Sequence, residues 1–85
     1  MTKEQFYEWA ERNGWTVNSY GHCHKTTEIA EYRFKVQKHT IRYERKVVHE
    51  ATQYSPRRIS WVRIRSGRFS QLEIVEGDKL RGFKR

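Results

Sequence analysis

The chain has 85 residues, of which 35% are hydrophobic and 33% are charged, and its formal net charge is +8 at pH 7. This length allows one domain with one modest core, so we predict a single small basic domain over residues 1–85. Three Trp, five Tyr and four Phe exclude the aromatic-poor composition of a disordered chain.

Cysteine usage and hydropathy indicate the cellular setting. Cys23 is the only cysteine, which excludes an internal disulfide framework and favours a reducing environment. No apolar run approaches the roughly 20 residues that a membrane-spanning helix needs, and the first residues lack the apolar core of a signal peptide. We therefore predict a cytoplasmic protein that has no membrane partner.

Residues 2–13 are predicted to form an amphipathic helix. Its apolar stripe, at positions i, i+3 and i+4, consists of Phe6, Trp9 and Ala10. Thr2 and Gln5 have the spacing of a capping box at the start of the helix. Asn13-Gly14 is typical of a helix end, because glycine readily adopts the left-handed conformation needed there.

Three strands are predicted in the middle of the chain: Trp15–Tyr20, Ile29–Val36 and Thr40–His49. Gly21–Thr27, between the first two strands, is predicted to be a polar loop. In the second strand the apolar residues that alternate on one face are Ala30, Tyr32, Phe34 and Val36. The charged residues on the opposite face of the second and third strands include Arg33, Lys35, Arg42 and Lys46.

Ile59–Val75 is predicted to be a β-hairpin that turns at Ser66-Gly67. Its first arm places Ser60, Val62 and Ile64 on one face, and Trp61, Arg63 and Arg65 on the other. Leu72 and Ile74 in the second arm would match Val62 and Ile64. A longer loop around Pro56 precedes the hairpin, and Leu80–Phe83 is predicted to add a short edge strand.

These elements predict an α+β fold, in which one N-terminal helix packs on one face of a four- to five-stranded, mostly antiparallel sheet. The other face would then be basic, since residues 57–85 alone carry nine Lys and Arg against three Asp and Glu. Cationic side chains attract phosphates, and an exposed tryptophan can stack on a base. The predicted nucleic-acid-binding residues are Arg33, Lys35, Arg42, Lys46, Trp61, Arg63 and Arg65.

The function predicted from this surface is non-enzymatic binding of DNA or RNA, without a metal, a cofactor or catalytic residues. A second hypothesis is an inhibitor or adaptor, of a kind common in phages and mobile elements, that binds an acidic protein through its Trp, Tyr and Arg residues. The slope of affinity against salt would help to separate the two. A structural alternative for Trp61 is that the loop at Tyr54–Pro56 covers its ring.

Two short motifs raise the alternative of an enzyme. Glu44-Arg45-Lys46 has the Glu-x-Lys spacing of many metal-dependent nucleases, with Glu28 or Glu31 as the nearest second acidic ligand. The structural alternative for Glu44 is a cross-strand salt bridge. His22 and His24 fall on one side of an extended segment, where they could bind zinc or act as a general base, or simply lie in a solvated loop.

The first 25 residues resemble the opening of the HicA-type toxins. The similarity rests on a helix, Asn13-Gly14-Trp15, a strand, and then Gly21-His22-x-His24. The resemblance implies a small RNA-cleaving protein with an αβββα fold similar to double-stranded-RNA-binding domains, in which His22 or His24 would be catalytic. The later chain departs from that pattern, since it has no Val-Pro-x-His strand and no predicted C-terminal helix.

Overall fold

One helix and a five-stranded antiparallel sheet form most of the structure, a computed structural model that describes residues 1–84. Helix α1 spans Lys3–Arg12. The sheet has the spatial order β1-β2-β3-β4-β5, with β1 at Thr16–Val17, β2 at Cys23–Thr26, β3 at Glu31–Val36, β4 at Thr40–His49 and β5 at Arg58–Arg68. A 3₁₀ turn at Phe69–Gln71 leads to a separate hairpin of β6 (Leu72–Val75) and β7 (Lys79–Phe83). The predicted α+β class is confirmed.

Helix α1 begins and ends at the residues that its sequence signals indicate. The backbone N–H of Gln5 donates to Thr2 Oγ1 at 3.2 Å, and the backbone N–H of Thr2 donates to Gln5 Oε1 at 2.8 Å. These two bonds satisfy backbone donors that have no partner inside the helix. Gly14 then adopts a φ of 82°, which a residue with a side chain rarely does.

The core lies between α1 and one face of the sheet. Its buried residues are Phe6, Trp9, Ala10, Cys23, Phe34, Val36, Ile41, Phe69 and Leu72. The Phe34 ring centre lies 5.0 Å from that of Phe6, 4.5 Å from that of Trp15 and 4.8 Å from that of Tyr43. These separations are typical of favourable aromatic pairs, so a few large rings supply much of the packing of a small core.

The predicted polar loop at Gly21–Thr27 is wrong, because four of its residues form β2. Cys23 is fully buried and is the register partner of Phe34, whereas His24 pairs with Arg33 across the strands. One small apolar residue among polar neighbours leaves almost no alternation in the sequence. Backbone pairing with β3, rather than a hydrophobic pattern, therefore defines this strand.

The predicted hairpin at Ile59–Val75 is also wrong. Strand β5 continues through Ser66-Gly67 to Arg68, and β6 pairs with β7. Gly67 provides close packing instead of a turn, since a Cβ atom there would lie 2.5 Å from Phe83 Cδ1. Val62 and Ile64 do not pair with Leu72 and Ile74; their exposed fractions are 51% and 44%.

A β-bulge at Ile64 changes the facing of β5. Tyr43 of β4 pairs with Arg65, but its neighbour Glu44 pairs with Arg63, so Ile64 has no partner. A single extra residue in a strand exchanges the two faces for everything beyond it. Arg65 consequently lies on the α1 side of the sheet, with Tyr43, while Trp61 and Arg63 lie on the opposite side.

Strands β4 and β5 extend past the rest of the sheet as a two-stranded arm, which we define as residues 47–60. Strand β3 pairs with β4 only as far as Arg45, and residues 48–59 are all exposed. The arm is consistent with the elongated extents of the molecule, 47 × 26 × 23 Å. No helix within residues 1–84 combines the length and apolar character that crossing a membrane requires.

Candidate nucleic-acid interface

The sheet surface opposite α1, which we call the open face, is built from alternate residues of four neighbouring strands. Across the strands, one row pairs His24 with Arg33, Arg33 with Glu44, and Glu44 with Arg63. The adjacent rows contain Lys35 beside Arg42, and Lys46 beside Trp61. Antiparallel pairing therefore gathers cations that are up to 30 residues apart in the sequence onto one surface.

Six of the seven predicted binding residues lie together on this face, and Arg65 does not. The bulge at Ile64 turns Arg65 to the other side, where its Nη1 donates to the carbonyl oxygen of Arg81 at 3.2 Å. The prediction that Arg65 shares a face with Trp61 and Arg63 is therefore wrong. A strict two-residue alternation cannot detect a bulge, and β5 has no local sequence signal for one.

Glu44 is the centre of the charge arrangement on the open face. Glu44 is 4% exposed, and its carboxylate accepts a hydrogen bond from Arg33 Nε at 2.7 Å and lies 3.9 Å from Arg42 Nη1. A second ion pair joins Lys46 Nζ to Glu31 Oε2 at 3.0 Å. These carboxylates offset part of the repulsion among closely spaced cations, so a dense basic surface can fold.

Trp61 is half-buried and stacks against another side chain of the open face. The Arg33 guanidinium carbon lies 4.2 Å from the Trp61 ring centre, and the His24 ring approaches edge-on with its centre at 6.2 Å. The loop at residues 54–56 is exposed and Tyr54 is 89% exposed, so this loop does not bury the indole. The arginine also bonds to Glu44, which fixes the guanidinium over the ring.

His22 and His24 stand at the β2 side of the open face. Asn18 Nδ2 and His24 Nε2 are 3.0 Å apart, and His22 Nδ1 accepts a hydrogen bond from the Val36 N–H at 2.9 Å. Burial lowers the pKa of His22 below its usual 6.5, and the nearby charges of Lys35 and Arg33 lower this pKa further. The His22 ring is therefore neutral near pH 7.

The Glu44-Arg45-Lys46 motif is engaged in cross-strand ion pairs, as the structural alternative predicted. The Glu44 carboxylate contacts arginines, and Lys46 contacts Glu31. Within residues 1–84, no three His, Cys, Asp or Glu side chains are grouped so that they could hold a metal ion.

Sequence reasoning missed the position of Asn18 against His24, because Asn18 precedes a turn and carries no periodic signal.

Comparison with known proteins found no relative: no family model, curated protein or solved structure matches this chain.

Proposed function

We propose that the protein binds single-stranded DNA or RNA through the open face, without catalysis. One observation carries the proposal: the stack of Arg33 on Trp61 lies inside an array of cationic side chains. Phosphates would contact Lys35, Arg42 and Arg63, while a base would stack on the flat surface of the indole and guanidinium groups. Neighbouring strands about 5 Å apart, and alternate residues about 7 Å apart along a strand, make this array two-dimensional.

The test is fluorescence anisotropy with labelled single-stranded and duplex oligonucleotides over a salt series. Tight binding that weakens steeply with salt is expected, because neutralised phosphates release counterions. Arg63→Ala should make the slope of log affinity against log salt shallower by about one unit. Arg45→Ala is the matched control, since Arg45 is exposed on the opposite face of β4. An equal slope for wild type and Arg63→Ala would remove Arg63 from the interface.

Stacking is tested separately with Trp61→Ala and Trp61→Phe. The alanine variant should lose roughly 1–3 kcal/mol of single-strand affinity, and the phenylalanine variant should lose less. Circular dichroism monitors folding. If Trp61→Ala unfolds the domain but its folded fraction binds normally, the indole is structural and the stacking proposal fails. If the wild type does not bind at low salt, an acidic protein partner becomes the better account.

RNA cleavage is a second candidate function, favoured by the placement of His22 and His24 on the basic open face. His24 Nε2, in place of its contact with Asn18 Nδ2, could accept the proton of a 2′-hydroxyl as that oxygen attacks the adjacent phosphorus and displaces the 5′-oxygen, which takes up a proton. Gels of the binding samples, run with and without Mg²⁺, test this activity. Cleavage of RNA but not DNA that is lost in His24→Ala would support it; intact RNA would exclude it under those conditions.

A further inference from the structure

A basic depression lies at the end of the sheet next to the start of α1. It has a volume of about 580 Å³ and is lined by Lys3, Lys38, His39, Thr40, Arg68, Phe69 and Ser70. Three of these side chains are cationic, two bear hydroxyl groups and none is acidic. The depression is open to solvent, and its cationic, carboxylate-free lining suits a phosphate group.

The walls of this depression are held in place by backbone and side-chain hydrogen bonds. The Phe69 N–H donates to the His39 carbonyl oxygen at 3.4 Å, which ties the end of β5 to the turn between β3 and β4. Within that turn, the Gln37 N–H donates to the Thr40 carbonyl oxygen and the Thr40 hydroxyl donates to Gln37 Oε1, both at 2.9 Å. Lys38 and Arg68 therefore project from constrained backbone, which lowers the entropy cost of binding an anion.

The basic depression is continuous with the open face. A second depression, of about 350 Å³, shares Thr40 and Arg68 with it and extends to Arg42 and Ser66. Thr40 pairs with Arg68, and Arg42 pairs with Ser66, so these two rows are successive rows of the open face. They are separated by about 7 Å along the strands. A strand that crosses the open face past Arg42 would thus reach the basic depression within about one further row.

We propose that this basic depression binds the terminal phosphate of a nucleic-acid strand lying on the open face. The inference rests on the proposed function and adds a preference for phosphorylated strand ends. A terminal phosphomonoester carries close to two negative charges at pH 7, whereas each internal phosphodiester carries one. Clustered cations with no carboxylate among them discriminate between these two groups, because the attraction grows with the ligand charge.

The test compares the affinities of single-stranded oligonucleotides of one sequence with an internal fluorophore. One oligonucleotide has a 5′-phosphate, one has a 3′-phosphate and one has hydroxyls at both ends. A fourth, hydroxyl-ended strand is one nucleotide longer and so has the same number of phosphates as the two phosphorylated strands. One phosphorylated end should bind roughly tenfold more tightly than either hydroxyl-ended strand, the effect of one charge-assisted contact. Lys38→Ala and Arg68→Ala should each remove most of this preference.

Lys79→Ala is the charge-matched control, since Lys79 is exposed and lines neither depression. It should leave the end preference unchanged. Equal binding of phosphorylated and hydroxyl-ended strands would overturn the terminal-phosphate site while leaving the open-face proposal intact. A preference that persists in both Lys38→Ala and Arg68→Ala would also overturn it. Failure of every strand to bind would overturn both proposals.

Discussion

At the scale of single residues, Glu44 provides the buried counter-charge of the open face. It is the only charged or polar side chain that is buried within residues 1–84, and its carboxylate contacts Arg33 and Arg42. A half-buried guanidinium that loses its counter-ion keeps the cost of its desolvation without the compensating attraction. Glu44 therefore stabilises the open face, although in the proposed complex it would contact no phosphate.

Glu44→Gln should lower the free energy of unfolding by about 2 kcal/mol, because the amide keeps the shape and one hydrogen bond but loses the charge. Urea unfolding followed by circular dichroism measures the change. Glu28→Gln, in an exposed loop, is the matched control and should stay within about 0.5 kcal/mol of wild type. Equal losses in the two variants would show that Glu44 contributes no more than an exposed carboxylate.

His22 should make the protein less stable as the pH falls. Its folded-state pKa is lowered by burial and by Lys35 and Arg33, so below pH 6.5 the unfolded chain binds a proton more readily than the folded protein. The stability contributed by neutral His22 is present above pH 6.5 and is lost progressively below it. The urea concentration at the unfolding midpoint should therefore decrease as the pH is lowered from 7.5 to 5.5, and this decrease should be smaller in His22→Asn.

The asparagine variant is informative because its side-chain oxygen can still accept the hydrogen bond that the Val36 N–H donates to His22 Nδ1 in the wild type. Asp78 does not interfere in this window: hydrogen bonds from Arg12 and Asn13 lower its pKa below the usual 3.8, so it protonates only in stronger acid. An unchanged pH dependence in His22→Asn would assign the effect to other groups.

At the scale of elements, strand β5 contributes to both sides of the sheet because of its bulge. The part of β5 before Ile64 in the sequence contributes Trp61 and Arg63 to the open face. The part after Ile64 supports the β6–β7 hairpin on the other side of the sheet. That hairpin approaches so closely that only glycine fits at position 67, where an added Cβ would lie 2.9 Å from Gln71 Oε1 and closer still to the Phe83 ring.

Gly67→Ala should therefore destabilise the protein, by about 1–3 kcal/mol, because the Phe83 ring must move. The sign is diagnostic, since replacing glycine by alanine inside an unobstructed strand generally stabilises by roughly 0.5–1 kcal/mol. Thermal and urea unfolding measure the effect. Ser66→Ala, on the exposed opposite face, is the neighbouring control and should be nearly neutral. A stabilised Gly67→Ala protein would contradict the close packing of the hairpin.

At the scale of the whole molecule, the buried core and the arm do not overlap. All the buried core residues lie outside the arm, and residues 48–59 are exposed along their full length. Replacing residues 48–59 by Asn-Gly, so that the turn joins the register partners Val47 and Ser60, should change the free energy of unfolding by less than about 1 kcal/mol. A second variant with Gly-Gly in place of Asn-Gly distinguishes the effect of the turn residues from the effect of removing the arm. A large loss in both versions would show that the arm supports the core.

Local patterns predicted the elements that are amphipathic, and failed where long-range pairing decides. Helix α1 has a capping box and an apolar stripe, and β3, β4 and the first half of β5 alternate, so their faces were predictable, and with them the six cationic or aromatic side chains predicted for the open face. Strand β2 contains one buried side chain, Cys23, and needs β3 as its template. The facing of Arg65 depends on its pairing with β4, and the packing role of Gly67 depends on Gln71 and Phe83, so no local pattern specifies either.

The arm has a consequence for the behaviour of the protein in concentrated solution. Its register partners Val48 and Ile59 are exposed, and beyond Arg45 both of its long sides present backbone groups that β3 does not reach. Such edges invite strands of other molecules to pair, and neighbouring charges such as Arg57 and Arg58 oppose this. Because that opposition is electrostatic, the salt that would weaken the proposed nucleic-acid binding should also let the arms of different molecules associate, so the protein should be least soluble where the proposed binding is weakest.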